Sequence, residues 1–156
     1  MISQEEIKKI KELSKEFFEK MTIEVSDIEA DFSVLGNNDI AKLRIRMDEP
    51  QILIGEAGQT LAELQRILKL LFNKKLQKLF YLDFDINGYK EKKADYLRKM
   101  AKDLADEVAL TKEEKVLLPM PAFERRIIHS ELSKRTDITT ESQGEGEDRH
   151  VVIKPR

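Results

Sequence analysis

Apolar residues recur at helical intervals near the start of the chain. Ile7, Ile10, Leu13, Phe17 and Phe18 share one face of residues 4–20, with Lys and Glu elsewhere, which predicts an amphipathic helix. The period then shortens. Ile23, Val25 and Ile28 suggest one strand, and Leu43, Ile45 and Met47 alternate with Lys42, Arg44 and Arg46 in a second. Gly36-Asn37-Asn38-Asp39 between them is a turn signal, so the pair reads as an antiparallel hairpin. A short apolar run, Ile52–Ile54, precedes Gly55-Glu56-Ala57-Gly58. A helix from Gln59 to about Phe72 then buries Leu61, Leu64, Ile67, Leu68 and Leu71, and Leu79–Ile86 reads as a strand.

A second unit begins after Asn87-Gly88, which gives expected domains of 1–87 and 88–156. Tyr89 to about Val108 predicts a long charged helix, and Val116–Leu118 a short strand stopped by Pro119 and Pro121. Ala122–Leu132 reads as helix, and Ile138–Ser142 and His150–Lys154 as strands. An exposed acidic loop, Gln143–Asp148, joins the last two. The fold class is therefore α+β: an α-β-β-α-α-β unit followed by a small unit of two helices and a three-stranded sheet.

Composition narrows the chemistry. The 156 residues include no cysteine, which excludes disulfides and thiolate metal sites and fits a reducing cytoplasm. No apolar stretch is long enough for a membrane span, and the polar start is not that of a signal peptide. Twenty-eight Lys and Arg against 30 Asp and Glu give a net charge of −2, so any contact with phosphate must come from local placement of cations. His129 and His150 lie on separate elements without metal-ligand spacing, and no nucleotide-binding glycine loop or nucleophile–base pair is present. No enzyme activity, cofactor or metal is expected.

Two motifs carry the functional reading. Gly55-x-x-Gly58 permits a tight turn whose backbone can approach another chain, with free amides of the next helix facing an anion. Arg66, Lys69, Lys74, Lys75 and Lys78 follow, with no acid between Gln65 and Lys78. Alone, the motif is a weak signal and reads first as a plain helix-connecting turn. Arg125 and His129, four apart on a predicted helix, project from one face. Arginine grips phosphate with a planar fork, and imidazole can stack on a base or donate to the same phosphate. The plainer alternative is a partly buried structural histidine beside an arginine paired with Glu124 or Glu131.

The sequence around these motifs resembles the Jag family of bacterial RNA-binding proteins. Ile52–Leu64 (ILIGEAGQTLAEL) is similar to the core of a type II KH domain. Met120–Leu132 (MPAFERRIIHSEL), Thr139–Gly146 (TTESQGEG) and Arg149–Arg156 (RHVVIKPR) resemble the family's R-3-H domain, named for an Arg and a His separated by three residues. The resemblance implies binding of single-stranded RNA, with single-stranded DNA left open, by a post-transcriptional regulator or RNA chaperone. It carries Arg125 and His129 over as binding residues, with Arg126, Arg149 and Lys154 as further basic candidates. In the first unit it implies contacts from Gly55, Glu56, Ala57, Gly58, Arg66 and Lys69. The alternative is a protein-interaction module that pairs with itself or with another KH protein.

Two departures stand out. Glu56 occupies a loop position where the KH pattern commonly has Lys or Arg. A carboxylate ~4 Å from a phosphate costs about 1 kcal/mol in a water-like dielectric. With the lost lysine, affinity at this loop should fall roughly ten- to a hundred-fold. The chain also starts almost at the KH-like unit, so it is expected to be a short form without the family's further N-terminal domain.

Overall fold

The computed structural model describes residues 2–156. The chain divides into two compact units, Met1–Tyr89 and Lys90–Arg156.

The first unit runs α1 (Gln4–Lys20), β1 (Asp27–Leu35), β2 (Asn38–Arg46), α2 (Gln51–Ile54), a single 3-10 turn over Glu56–Gly58, α3 (Gln59–Leu76) and β3 (Tyr81–Ile86). Ser3 starts α1 through a reciprocal cap. The Glu6 amide donates to Ser3 Oγ at 3.2 Å, and the Ser3 amide donates to Glu6 Oε2 at 2.6 Å. The sheet order is β1-β2-β3, with β1 antiparallel and β3 parallel to the central strand. Ala41, Leu43 and Ile45 of β2 point to one face. There they join Ile10 and Phe18 of α1, Leu64, Leu68 and Phe72 of α3, and Phe84 of β3 in one core.

The opposite face of this sheet is charged, with Asp27, Glu29, Asp31, Asp83 and Asp85 in register with Lys42, Arg44 and Arg46. Lys42 lies in register between Asp31 and Asp83. Arg44 pairs with the Asp83 carboxylate and donates to the Asp83 carbonyl at 2.8 Å, and Arg46 stands 3.7 Å from Glu29.

Sequence and structure differ most at the first strand. Ile23 and Val25 are not in it: they lie in an irregular segment that packs half-buried against the core, and pairing starts at Asp27. The third helix continues past Phe72 to Leu76, through Asn73, Lys74 and Lys75, and stops at Gln77 in the left-handed conformation.

The second unit comprises α4 (Tyr89–Thr111), whose first residue is the last of the first unit, and β4 (Lys115–Val116), α5 (Ala122–Leu132), β5 (Ile138–Gln143) and β6 (His150–Pro155). Its antiparallel sheet has the order β4-β6-β5. Leu97, Ala101, Ala105 and Val108 of α4 and Ile128 and Leu132 of α5 pack on Ile138, Val151 and Ile153. Arg135 pins the connection between α5 and β5 to α4. Its Nε and Nη2 donate to Asp137 at 2.9 and 2.6 Å, and Nη1 pairs with Asp106 of α4. This fork holds the Asp137 carboxyl down at about 2. Among the described residues no helix is long and apolar enough to cross a membrane.

Candidate nucleic-acid interface

The α5 helix begins where Pro121 sets an extended φ/ψ of −57°/156°, and no side chain caps its first amides. Glu124, Ile128 and Leu132 recur every four residues and turn inward. The same spacing sends Arg125 and His129 along the flank that faces β5.

His129 is engaged on both sides. Its Nδ1 lies 2.7 Å from Thr140 Oγ1 and its Nε2 lies 2.8 Å from Ser142 Oγ. Thr140 and Ser142 are two apart on β5, so both hydroxyls project from one face of the strand. Burial, and then the neighbouring Arg125, lower the imidazole's pKa and favour the neutral ring. A neutral imidazole offers one donor and one acceptor, and two hydroxyls satisfy both. His129 therefore orders β5. Stacking on a base remains compatible with this arrangement, but donation to phosphate requires one of these bonds to break.

Arg125 differs. Its Nε donates to the Met120 carbonyl at 3.2 Å. Among the described residues its Nη1 and Nη2 have no partner. The two acids that sequence reasoning set against it turn elsewhere: Glu131 lies 2.9 Å from Lys102, and Glu124 lies 3.9 Å from Lys93. Met120 also links a second arginine, since its amide donates to the Arg149 carbonyl at 3.1 Å. The Arg149 side chain is exposed and makes no ion pair among the described residues, and the same holds for Arg126 on the outward flank of α5.

Lys154 is separated from this group. In the β5–β6 register it stands opposite Thr139, on the sheet face away from Thr140 and Ser142, and its ammonium pairs with Glu141. The loop leading to Arg149 is acidic, with Glu145, Glu147 and Asp148. Its turn depends on Gly144: a Cβ there, at φ +82°, would lie 2.8 Å from the Asp148 carbonyl.

In the first unit the glycine loop is tightly built. Gly55 has φ +71°, and a Cβ on it would fall 2.1 Å from Thr60 Oγ1. Gly58 has φ +78°, and its Cβ would fall 2.9 Å from the Tyr89 ring. Gly58 starts α3 without a side-chain cap, and Glu56 and Ala57 are exposed at the tip.

The basic run that follows is not gathered at the loop. At ~1.5 Å per residue, Arg66 lies about 10 Å along α3 and Lys74 about 22 Å. Arg66 pairs with Glu63 at 3.0 Å, Lys69 sits 4.9 Å above the Tyr81 ring, and Lys78 lies 2.9 Å from Glu6. Glu56 is the charge at the tip.

Sequence reasoning missed the hydroxyl partners of His129 and the part played by the Met120 main chain. The alternation of Thr140 and Ser142 on a strand was the available signal for the first. No sequence signal marks the second.

An arginine-bearing helix packed on a three-stranded antiparallel sheet defines the class of the second unit: residues 95–155 match the family model of the R-3-H domain, and the unit carries an R-3-H domain. Along most of its length the chain is also similar to RNA-binding protein KhpB of Clostridium symbiosum, at 35% identity over 140 residues, 88% of this chain and 63% of the relative. KhpB of Bacillus subtilis is 36% identical over 126 residues, 80% of this chain and 61% of the relative. KhpB of Lactiplantibacillus plantarum is 33% identical over 126 residues, 81% of this chain and 39% of the relative. The resemblance to the Jag family thus holds. The chain spans about three fifths of the length of the first two of these relatives.

Proposed function

We propose that the chain binds single-stranded RNA through its R-3-H domain, as a post-transcriptional regulator or RNA chaperone in the cytoplasm. The observation that carries this reading is the Arg125 guanidinium, fixed at Nε and unpartnered at both Nη atoms. A fork held at its base and open at its tip suits a phosphate oxygen pair. Arg149 and Arg126 add unpaired cations from the same unit. The relatives' name, RNA-binding protein, supports RNA as the strand. His129 then acts chiefly by holding Thr140 and Ser142 in place beside the arginine.

The first unit is read as KH-like, since its order of elements and its Gly-x-x-Gly loop follow that pattern. Its loop would contribute little affinity, because Glu56 faces outward and the lysines behind it are paired or distant. This acidic tip favours a second role for the unit, pairing with another copy or with another KH protein.

The test is titration of fluorescently labelled single-stranded RNA against the wild type and Arg125→Ala, with single-stranded DNA of the same sequence in parallel. A charge-assisted contact of about 1.5–3 kcal/mol predicts a roughly ten- to hundred-fold loss for the variant. Equal affinity of variant and wild type would remove the assignment. Sizing in solution with and without RNA tests the pairing role.

A further inference from the structure

The first unit holds a groove whose lining includes no residue of the Gly55–Gly58 loop. It has a volume of about 1230 Å³ and lies between the end of α1, the connection into β1, and α2. Its floor is apolar: Phe18, Ile28, Met47 and Leu53 reach it from the core. One wall is Ile52, which is 73% exposed although Leu53 beside it is buried. A large aliphatic side chain left that open within a four-residue helix makes no contribution to the core.

The rim is acidic. Glu24, Asp27, Asp48 and Glu49 line the groove, and none forms an ion pair among the described residues. Glu19 stands 4.0 Å from Lys15 and is the lining acid with a cation nearby; Lys11 and Lys15 are the lining cations. The wall formed by residues 23–25 offers main chain as well. The amides of Glu24 and Val25 take no main-chain partner among the described residues, whereas Ile23 and Ser26 on either side are bonded to Phe18 and Arg46.

We propose that this groove is a docking site for a protein segment that presents apolar side chains flanked by Lys or Arg. The apolar floor and Ile52 supply burial for the segment's side chains. Four uncompensated carboxylates select cationic flanks, and they turn away the phosphates of a nucleic acid or a lipid surface. The volume exceeds the ~300–1,000 Å³ of a small-molecule cleft, and the free amides of the wall suit an extended chain. The proposal concerns the first unit alone and stands independently of RNA binding at Arg125.

The experiment uses the full chain, isotopically labelled, with backbone amides followed by NMR. The probes are two peptides, KLKLKLK and its acidic counterpart ELELELE. The expected result is that KLKLKLK shifts amides of residues 18–28 and 47–53, while ELELELE leaves them unmoved. Asp48→Lys with Glu49→Lys should weaken KLKLKLK at least tenfold, and Ile52→Glu should do the same by closing the apolar wall. Both changes are at exposed positions, and unchanged amide shifts of the first unit outside residues 18–28 and 47–53 report that the variants are folded. Equal binding of the two peptides overturns the proposal. So does a response confined to other residues, or affinity unchanged by both variants.

Discussion

The two units carry similar charge but use it differently. Residues 1–89 contain 13 Lys and Arg against 16 Asp and Glu, and residues 90–156 contain 15 against 14. Neither balance marks a nucleic-acid binder. In the first unit Arg44, Arg46, Arg66 and Lys78 each stand beside a carboxylate, and Lys69 covers an aromatic ring. In the second, Arg98, Lys102, Lys115, Arg135 and Lys154 are paired likewise, whereas Arg125, Arg126 and Arg149 have no acid partner among the described residues. A cation already paired within the fold gives little new energy to a phosphate, because one contact is exchanged for another. Arg125, held at Nε by the Met120 carbonyl, has no such exchange to make. Placement of cations, more than net charge, therefore separates the two units.

The largest effect is expected at Arg125. Arg125→Ala should lower affinity for single-stranded RNA roughly ten- to hundred-fold with only a modest change in thermal stability, since the bond it removes among the described residues is that of Nε to the Met120 carbonyl. It should also flatten the salt dependence of binding by about one phosphate's worth. Next comes the loop. Glu56→Lys should raise affinity about tenfold if the loop reaches phosphate. No change in the titration would mean that the first unit stands outside the RNA contact, which sharpens the contrast between the units.

His129→Ala should act through the scaffold. Thr140 and Ser142 each lose a hydrogen bond, so stability in urea should fall by about 1–3 kcal/mol. RNA affinity should fall less than in Arg125→Ala, and His129→Gln should restore part of both. The same histidine gives stability a pH dependence. Its pKa is lowered on folding, so the unfolded chain takes up the proton first as pH falls. The stabilisation is complete above about 6.5, the ordinary histidine value, and is lost as pH drops toward the folded value. His129→Gln should remove that component of the urea profile.

Glu124 has the opposite sign. Burial raises its pKa against the pull of Lys93, so its contribution is fully present below about 4.5 and is lost as pH rises through the folded value. Glu124→Gln should flatten the profile there. The smallest effect is expected at Lys154. Lys154→Ala should leave RNA affinity within about twofold, because the lysine is paired with Glu141 on the other sheet face.

Much of the architecture was legible in the sequence. The spans of α1 and α5 coincide with the predicted ones because each has a clean apolar stripe and a clear start, Ser3 in one and Pro121 in the other. The first strand was misplaced for a physical reason. Ile23 and Val25 alternate like strand residues but pack from an irregular segment, while Asp27–Leu35 is half-exposed and alternates poorly. The sequence marked Arg125 and His129 as a pair on one face, but it could not separate their roles. That difference rests on Thr140 and Ser142, which the β5–β6 register sets beside His129 from outside its own helix. The Arg66–Glu63 pair, by contrast, was readable from its three-residue spacing.

The central claim is that RNA meets the second unit through the unpaired arginines. Titrating single-stranded RNA into the labelled full chain while following backbone amides tests it most directly. The account predicts that amides of residues 120–129 and 140–149 shift first and saturate together, and that Arg125→Ala abolishes those shifts at the same RNA concentration. Shifts that begin at residues 55–60 and persist in Arg125→Ala would contradict it.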